Sequence, residues 1–467
     1  MRIRCGLTRR QVLKGLAAGC AVTVVGSSRA AVAASHELST FQADITPPLG
    51  HALMGGGITP AQRIDDRLLA HGFVLRGGGL PVVLVSLDWC EVRNDAYDRW
   101  RTVLAKTAGT SKERVLLSCI HQHDAPIADL TAQRFLNESR SSGSICDLEF
   151  HETAVQRVVQ ALREGQRASR RVTHLGLGQA QVERVASNRR YVGPEGKLFF
   201  NRTSATRDAW IRAQPEGTVD PWLKTLSFWD GERPVLALSC YATHPMSYYG
   251  KGAVSSDFMG MARDRRQKED RDVKQIYVSG CSGNVTAGKY NDGAPENRSV
   301  LADRIYRAMA QAWKDTRRQP LTSLKFRSLP LELEPRSDSG FSKPDLEARL
   351  RTDPKPFGQC LAALGLSWRE RVEAGHPIDV PVLDFGSANL VLLPGEMYVE
   401  FQLMAQKLRP DSFVMTVGYG ECAPGYVPIE RAFNEGDENL KDWCWVGPGS
   451  EARIEAVLKE ALLPRSD

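Results

Sequence analysis

The sequence narrows its own chemistry first through what is missing. Its ten cysteines include no C-x-x-C pair, which excludes a zinc ribbon. No repeat of solenoid period recurs. No stretch has the composition of a disordered tail or a collagen-like array. Histidine is scarce, nine in 467 residues, so histidines placed at the ends of apolar strands carry weight. The formal net charge is +6, yet residues 1–33 hold six basic residues (Arg2, Arg4, Arg9, Arg10, Lys14 and Arg29) and no acidic one. The remainder is therefore near neutral, and the basic excess gives no case for a nucleic-acid surface.

What is present begins with that basic leader. Thr8-Arg9-Arg10-Gln11-Val12-Leu13-Lys14 reads as a twin-arginine export signal, followed by a mildly apolar stretch at 15–26 and a small-residue cleavage site at Ala31-Val32-Ala33. The expected partner is the twin-arginine translocation machinery, and the expected destination is periplasmic or extracellular. The apolar stretch is too short and too mild for a stable membrane span. Leu16-Ala17-Ala18-Gly19-Cys20 offers a lipoprotein cleavage box, ranked lower because it leaves a very short apolar region. Residues 34–467 are expected to form a single domain. Their eight cysteines are scattered, several within or beside apolar runs, and read as buried free thiols. An oxidising destination would allow a disulfide, whose pairing the sequence does not select.

Apolar runs at 80–88, 114–120, 234–241, 388–393 and 413–417 read as strands, with a shorter one at 275–279. Residues 172–183 alternate like a half-exposed strand, and 223–229 with 234–241 suggest a hairpin about Asp230-Gly231. Helical spacing recurs at 95–108, 148–168, 257–268, 299–315 and 451–463, and resumes after Phe357. Residues 188–220 are a long irregular segment of the kind that carries function. Residues 337–356 are the most linker-like. The interleaving predicts an α/β domain with a mixed sheet and interleaved helices.

Three histidines follow apolar strands. His121 and His123 are two apart at a strand end, a spacing that sets both on one face of an extended chain. His244 follows the run 234–241, with Pro245 to stop further pairing. Glu396 follows Leu393-Pro394-Gly395, at a turn where a helix is expected to open, so helix capping is the alternative role for its carboxylate. Two or three histidines with one carboxylate and an open position is the usual catalytic zinc set, and the ligand types favour zinc. Asp88 and Asp257 are candidates for hydrogen-bonding a liganding histidine from behind, or equally for helix capping.

Across about residues 43–428 the chain resembles the N-terminal catalytic domain of neutral/alkaline ceramidases. The resemblance lies in Ala43-Asp44-Ile45-Thr46-Pro47-Pro48, His121-Gln122-His123-Asp124-Ala125-Pro126, Ala242-Thr243-His244-Pro245, Ser256-Asp257-Phe258, Gly280-Cys281-Ser282-Gly283-Asn284-Val285, Leu393-Pro394-Gly395-Glu396 and Gly425-Tyr426-Val427-Pro428, met in that order. It implies a divergent bacterial member, a Zn2+ held by His121, His244, Glu396 and Tyr426, and His123 with Arg189 as the pair that meets the substrate and stabilises charge. The implied activity is hydrolysis of an amide (N-acyl) bond in a ceramide-like or other N-acylated substrate by metal-activated water. The chain departs from the family where Gly280 stands in place of a serine, flanked by Ser279 and Ser282, where Asn284 takes an acidic position, and at 431–445, which replaces a tyrosine-rich stretch. No C-terminal immunoglobulin-like domain is expected after it. These departures leave open an ester substrate, or a non-catalytic exported protein that holds a lipid or glycan.

Overall fold

Three times along the chain a buried strand runs into a helix and returns as a parallel neighbour. The first unit is Val82–Leu87, Asn94–Ala108 and Val115–Cys119; the second is Arg233–Tyr241, Asp257–Glu269 and Lys274–Ser279; the third is Ala388–Leu392, Val399–Leu408 and Phe413–Val417. The structure, a computed structural model, describes residues 36–463; the arginine pair and the candidate cleavage sites lie outside them.

Each parallel pair is extended on one side by antiparallel strands. The first sheet runs Val115–Cys119, Val82–Leu87, Leu69–Arg76, His36–Asp44, Arg170–Val172. The second runs Lys274–Ser279, Arg233–Tyr241, Trp222–Asp230, His174–Gln181, Arg317–Pro320, and the third runs Lys325–Leu331, Ile378–Asp384, Ala388–Leu392, Phe413–Val417. The fold is therefore α/β, with mixed sheets and interleaved helices. The expected hairpin forms between Trp222–Asp230 and Arg233–Tyr241.

The sheets face one another across a shared core. Phe73 and Leu84 of the first, Leu226 and Ile276 of the second, and Leu390 and Val417 of the third belong to one buried cluster. Helices cover the outer faces, where Trp100 and Leu104 pack with Val83 and Val85, and Leu301 and Ile305 pack with Leu223 and Tyr277. Polar stitches join the sheets at the carboxyl ends of the parallel strands. Ser279 Oγ donates to the Ile120 carbonyl (2.8 Å), Ser118 Oγ to the Gly418 carbonyl (2.9 Å), and the Cys119 and Gly418 amides to the Tyr419 and Ser279 carbonyls (3.0 and 2.8 Å). These bonds satisfy backbone groups that the converging strand ends would otherwise bury unpaired. They also bring the three sets of outgoing loops to one place, where sites form in parallel sheets.

One expectation changes, and the reading of the cysteines as buried free thiols holds. The linker-like region 337–356 contains the helix Lys343–Thr352, started by Ser342, whose hydroxyl accepts the Asp345 amide, with Pro344 in its first turn. Its apolar signal is only Leu346 and Leu350, both buried. All eight cysteines from Cys90 to Cys444 are free and buried. Among the described residues no helix is long and apolar enough to cross a membrane.

Candidate metal centre

The three units each send a side chain to the same point. His121 lies just past Val115–Cys119, His244 past Arg233–Tyr241, and Glu396 past Ala388–Leu392. All three are essentially buried. Glu396 Oε2 stands 2.8 Å from His244 Nε2 and 3.2 Å from His121 Nε2, and one ligand atom from each falls within 4.8 Å of the others.

The other ring nitrogen decides what this closeness means. His121 Nδ1 donates to the Cys90 carbonyl (3.0 Å), and His244 Nδ1 to the Ser282 carbonyl (2.6 Å). Carbonyls only accept, so both rings carry their proton on Nδ1 and turn the Nε2 lone pair toward the Glu396 carboxylate. Two lone pairs and a carboxylate oxygen, all buried, repel unless a cation or an added proton stands between them. His121 Nε2 is a buried nitrogen without a good hydrogen-bond partner. The donor set and its orphaned atom fit a divalent metal with imidazole and carboxylate ligands.

The electrostatics agree. Burial alone would raise the Glu396 pKa; the two imidazoles, His121 first, outweigh it and hold the carboxyl well below the usual range. Burial and then Arg189 hold His244 at about 4, so its ring is neutral near pH 7. Burial would likewise lower His121, but the Glu396 carboxylate outweighs it and draws its pKa upward.

Local backbone explains why the chain presents these groups. His121 sits at φ 70°, in the left-handed region, and its ring stacks on Tyr419, itself at φ 54°, with centroids 4.3 Å apart. Such a conformation is costly for a non-glycine residue and recurs at functional sites. It also corrects the spacing argument. The chain is not extended through His121, so His123 reaches the site by a turn, its ring 5.3 Å from that of His121 and at 88° to it. Glu396 is corrected too. It opens no helix but forms the two-residue strand Glu396–Met397, parallel to Tyr426–Val427, and the helix begins at Val399. The left-handed Gly395 (φ 59°) makes this possible, because a Cβ there would press against the Gly425 carbonyl at 2.7 Å.

That pairing sets Glu396 and Tyr426 side by side in register. The Tyr426 hydroxyl accepts from Arg189 Nη1 (2.7 Å), and its ring lies 6.3 Å from that of His244. Arg189 is held by its own amide on the Asn284 carbonyl (2.8 Å), and Arg202 pins the preceding Asn188 carbonyl (2.7 Å). His123 and Tyr426 are half-buried and form the rim, with Tyr249 edge-on to His123 at 4.9 Å. His123 Nδ1 has no partner, and burial together with His121 and His244 keeps its pKa well below the ordinary value. The six sequence-selected residues His121, His123, Arg189, His244, Glu396 and Tyr426 are thus brought together.

Asp88 and Asp257 are not part of this cluster. Asp88 binds Arg263 through both oxygens (2.5 and 3.0 Å), and Asp257 accepts the Ser247 and Phe258 amides (3.1 and 2.6 Å). The polar group behind His121 is instead Glu91, whose Oε1 lies 3.9 Å from His121 Nδ1, a residue sequence reasoning missed. The signal was a glutamate four residues past an apolar strand, in Asp88-Trp89-Cys90-Glu91. At Gly280, a Cβ would collide with the Gln402 carboxamide oxygen, which accepts the Cys281 amide (3.0 Å). Gln402 therefore takes the space a serine would need. Asn284 accepts the Val399 amide at the start of Val399–Leu408 (2.9 Å) and donates to Glu400 (2.8 Å).

No family model and no curated protein matches this chain. Among solved structures it is similar to the neutral ceramidase from Pseudomonas aeruginosa, at 17% identity and a TM-score of 0.66, over 92% of this chain and 74% of that one. It is also similar to a ceramidase complexed with C2, at 16% identity and a TM-score of 0.65, over 92% of this chain and 75% of that one. The chain has a ceramidase-like fold.

Proposed function

We propose that this chain is an exported zinc-dependent hydrolase that cleaves the amide bond of an N-acylated, lipid-like substrate. In this reading residues 1–33 are a twin-arginine leader, 34–467 form the catalytic domain, and the mature enzyme acts in the periplasm or outside the cell. The observation that carries it is the pair of imidazole Nε2 lone pairs turned onto one buried carboxylate oxygen. The two ceramidases of like fold support the choice of an N-acyl amide.

His121, His244 and Glu396 would hold the metal, with Tyr426 beside Glu396 as the fourth ligand. Zinc bound there supplies Lewis-acid polarisation and lowers the pKa of a coordinated water toward ~7. The protein's own groups do the rest. Arg189, buried and hydrogen-bonded to the Tyr426 hydroxyl of the rim, is placed to stabilise negative charge developing on the acyl oxygen. His123, neutral near pH 7 and with a free Nδ1, is placed to take up the proton released as water adds to the acyl carbon and to pass it to the leaving nitrogen. The buried floor keeps bulk water from the ligand side of the site.

The test is elemental analysis of the purified protein together with fatty-acid release from an N-acyl sphingoid base and its matched ester. About one zinc per chain and zinc-dependent cleavage of the amide are expected. A well-folded protein that takes up no zinc when supplied overturns the metal assignment. Zinc uptake with cleavage of the ester alone overturns the amide.

A further inference from the structure

Arg189 is 6% exposed, yet among the described residues it forms no ion pair with a carboxylate. Its Nη1 instead bonds two neutral oxygens, the Tyr426 hydroxyl and Asn439 Oδ1, each at 2.7 Å, and its Nε is buried without a partner. Asn439 comes from the short turn Glu438–Leu440, inside the region 431–445 where no motif was found.

The direction of every bond around Asn439 is fixed. Tyr398 OH donates to Asp437 Oδ2 (2.7 Å), so its remaining lone pair accepts from Asn439 Nδ2 (3.3 Å). The Asn439 amide donates to Asp437 Oδ1 (2.9 Å). With its nitrogen committed, the carboxamide can only turn its oxygen to Arg189. One residue along the chain, Arg190 grips Glu435 through both oxygens (2.6 and 2.7 Å), which ties 188–190 to the same segment. A carboxylate at position 439 would hold Arg189 as firmly but would cancel its charge. An amide holds it and leaves the charge to be used.

We propose that Asn439 is a positioning residue for Arg189, and that the segment 430–440 is a preformed clamp holding a guanidinium without an ion-pair partner beside Tyr426, for an oxygen of the substrate. The inference rests on the reading of Arg189 as the group that stabilises charge on the acyl oxygen.

The experiment uses the full zinc-loaded chain, a fluorogenic long-chain N-acyl amide, and the 15N-labelled Arg189 Nε–H signal, assigned by its loss in Arg189→Ala. Asn439→Ala should lower kcat about tenfold or more, since an ångström of misplacement at a reacting centre costs as much or more. Its KM should move less than about threefold and its zinc content should stay at wild type. The Nε–H signal should shift and lose protection from solvent exchange. In an Arg189→Ala background the same change should cost nothing further, because the clamp then holds nothing. Glu435→Gln, which leaves Asn439 intact, should give a smaller loss that also vanishes in that background, and it serves if Asn439→Ala fails to fold. Wild-type kcat with an unmoved signal overturns the proposal, as does an equal loss with and without Arg189. Should Arg189→Ala itself keep full turnover, the catalytic reading of Arg189 falls, while the Nε–H signal still reports whether the clamp exists.

Discussion

Two buried polar regions meet at His121 and are built on opposite rules. On one side, His121, His244 and Glu396 converge with acceptors facing acceptors. On the other, Glu91, Arg93, Asn94, Asp129 and Glu421 form a network in which most acceptors meet a donor, with Asn94 Oδ1 and Glu421 Oε2 as exceptions. Arg93 binds Glu91 (2.8 Å) and the Ala423 carbonyl (2.7 Å), Asn94 Nδ2 binds Asp129 (2.8 Å), and the Asn94 and Ala423 amides share Glu421 Oε1 (2.8 and 3.1 Å). Both regions are equally buried, so burial does not separate a ligand site from a structural one. What separates them is whether the donors and acceptors close without an added cation. The network brings its own arginines to its carboxylates, Arg93 to Glu91 and Arg371 to Glu421, whereas among the described residues Glu396 meets only the two imidazoles.

The largest expected effect breaks the corner. His244→Ala should lower zinc affinity more than about 100-fold, beyond what loss of a supporting group costs, and abolish turnover. His123→Ala, one step out on the rim, should keep full zinc occupancy and lose activity alone, by about 10²–10⁴-fold. Zinc content by elemental analysis beside the turnover rate separates them. A His244→Ala protein with wild-type zinc removes His244 from the ligand set and, with it, the contrast drawn between the two regions.

How much of this was legible in the sequence follows the same division. The corner residues sit just past apolar strands whose hydrophobicity marks them, so 82–87, 115–119, 233–241 and 388–392 and the residues beyond them could be found. Backbone turns could not be read the same way. His121 takes φ 70° and Glu396 joins a two-residue strand, because inter-sheet contacts override the local pattern there. That three sheets share one core was also out of reach, since strand alternation says which face is apolar and not which sheet it meets. The strands His36–Asp44 and Leu69–Arg76 passed unnoticed, their histidines and glycine diluting an apolar signal that only burial between layers explains. Glu91 had only its place past an apolar strand to mark it, and Asn439 was invisible because its role depends on Arg189, far away in sequence.

The next comparison tests the boundary between the regions. His244 is backed by carbonyls alone, whereas His121 has the Glu91 carboxylate 3.9 Å from Nδ1 as well as the Cys90 carbonyl. Glu91 is itself held by Arg93 and by Trp443 Nε1 (3.2 Å). Glu91→Gln keeps the size and an acceptor and removes the charge. It should weaken zinc binding about tenfold, measured by competition with a chelator, because a carboxylate behind a ligand ring raises its basicity. Unchanged affinity would mean the Cys90 carbonyl alone sets the His121 ring, and that the network serves the fold only.

The smallest effect is one of stability, and it lies at the far end of the network. Glu421 Oε1 is satisfied by two amides, but Oε2 is buried without a partner, and the nearest cation, Arg371, is 3.7 Å away. Burial therefore wins over Arg371 and pushes its pKa up to about 7 from the ordinary 4.5. Below pH 4.5 the carboxyl is protonated in both folded and unfolded chains and costs nothing. As pH rises from 4.5 to 7 the unfolded chain loses its proton first, so stability falls through that window, and above it the penalty is full, up to about 3 kcal/mol. Glu421→Gln removes the titration and keeps an oxygen for the two amides. Denaturant unfolding at pH 5 and pH 8 should show the wild type losing on the order of 1–3 kcal/mol between them and the variant losing that much less. An identical pH response in both would mean that Arg371 neutralises Glu421 in the fold, and that this end of the network closes as an ion pair like that of Glu91 with Arg93.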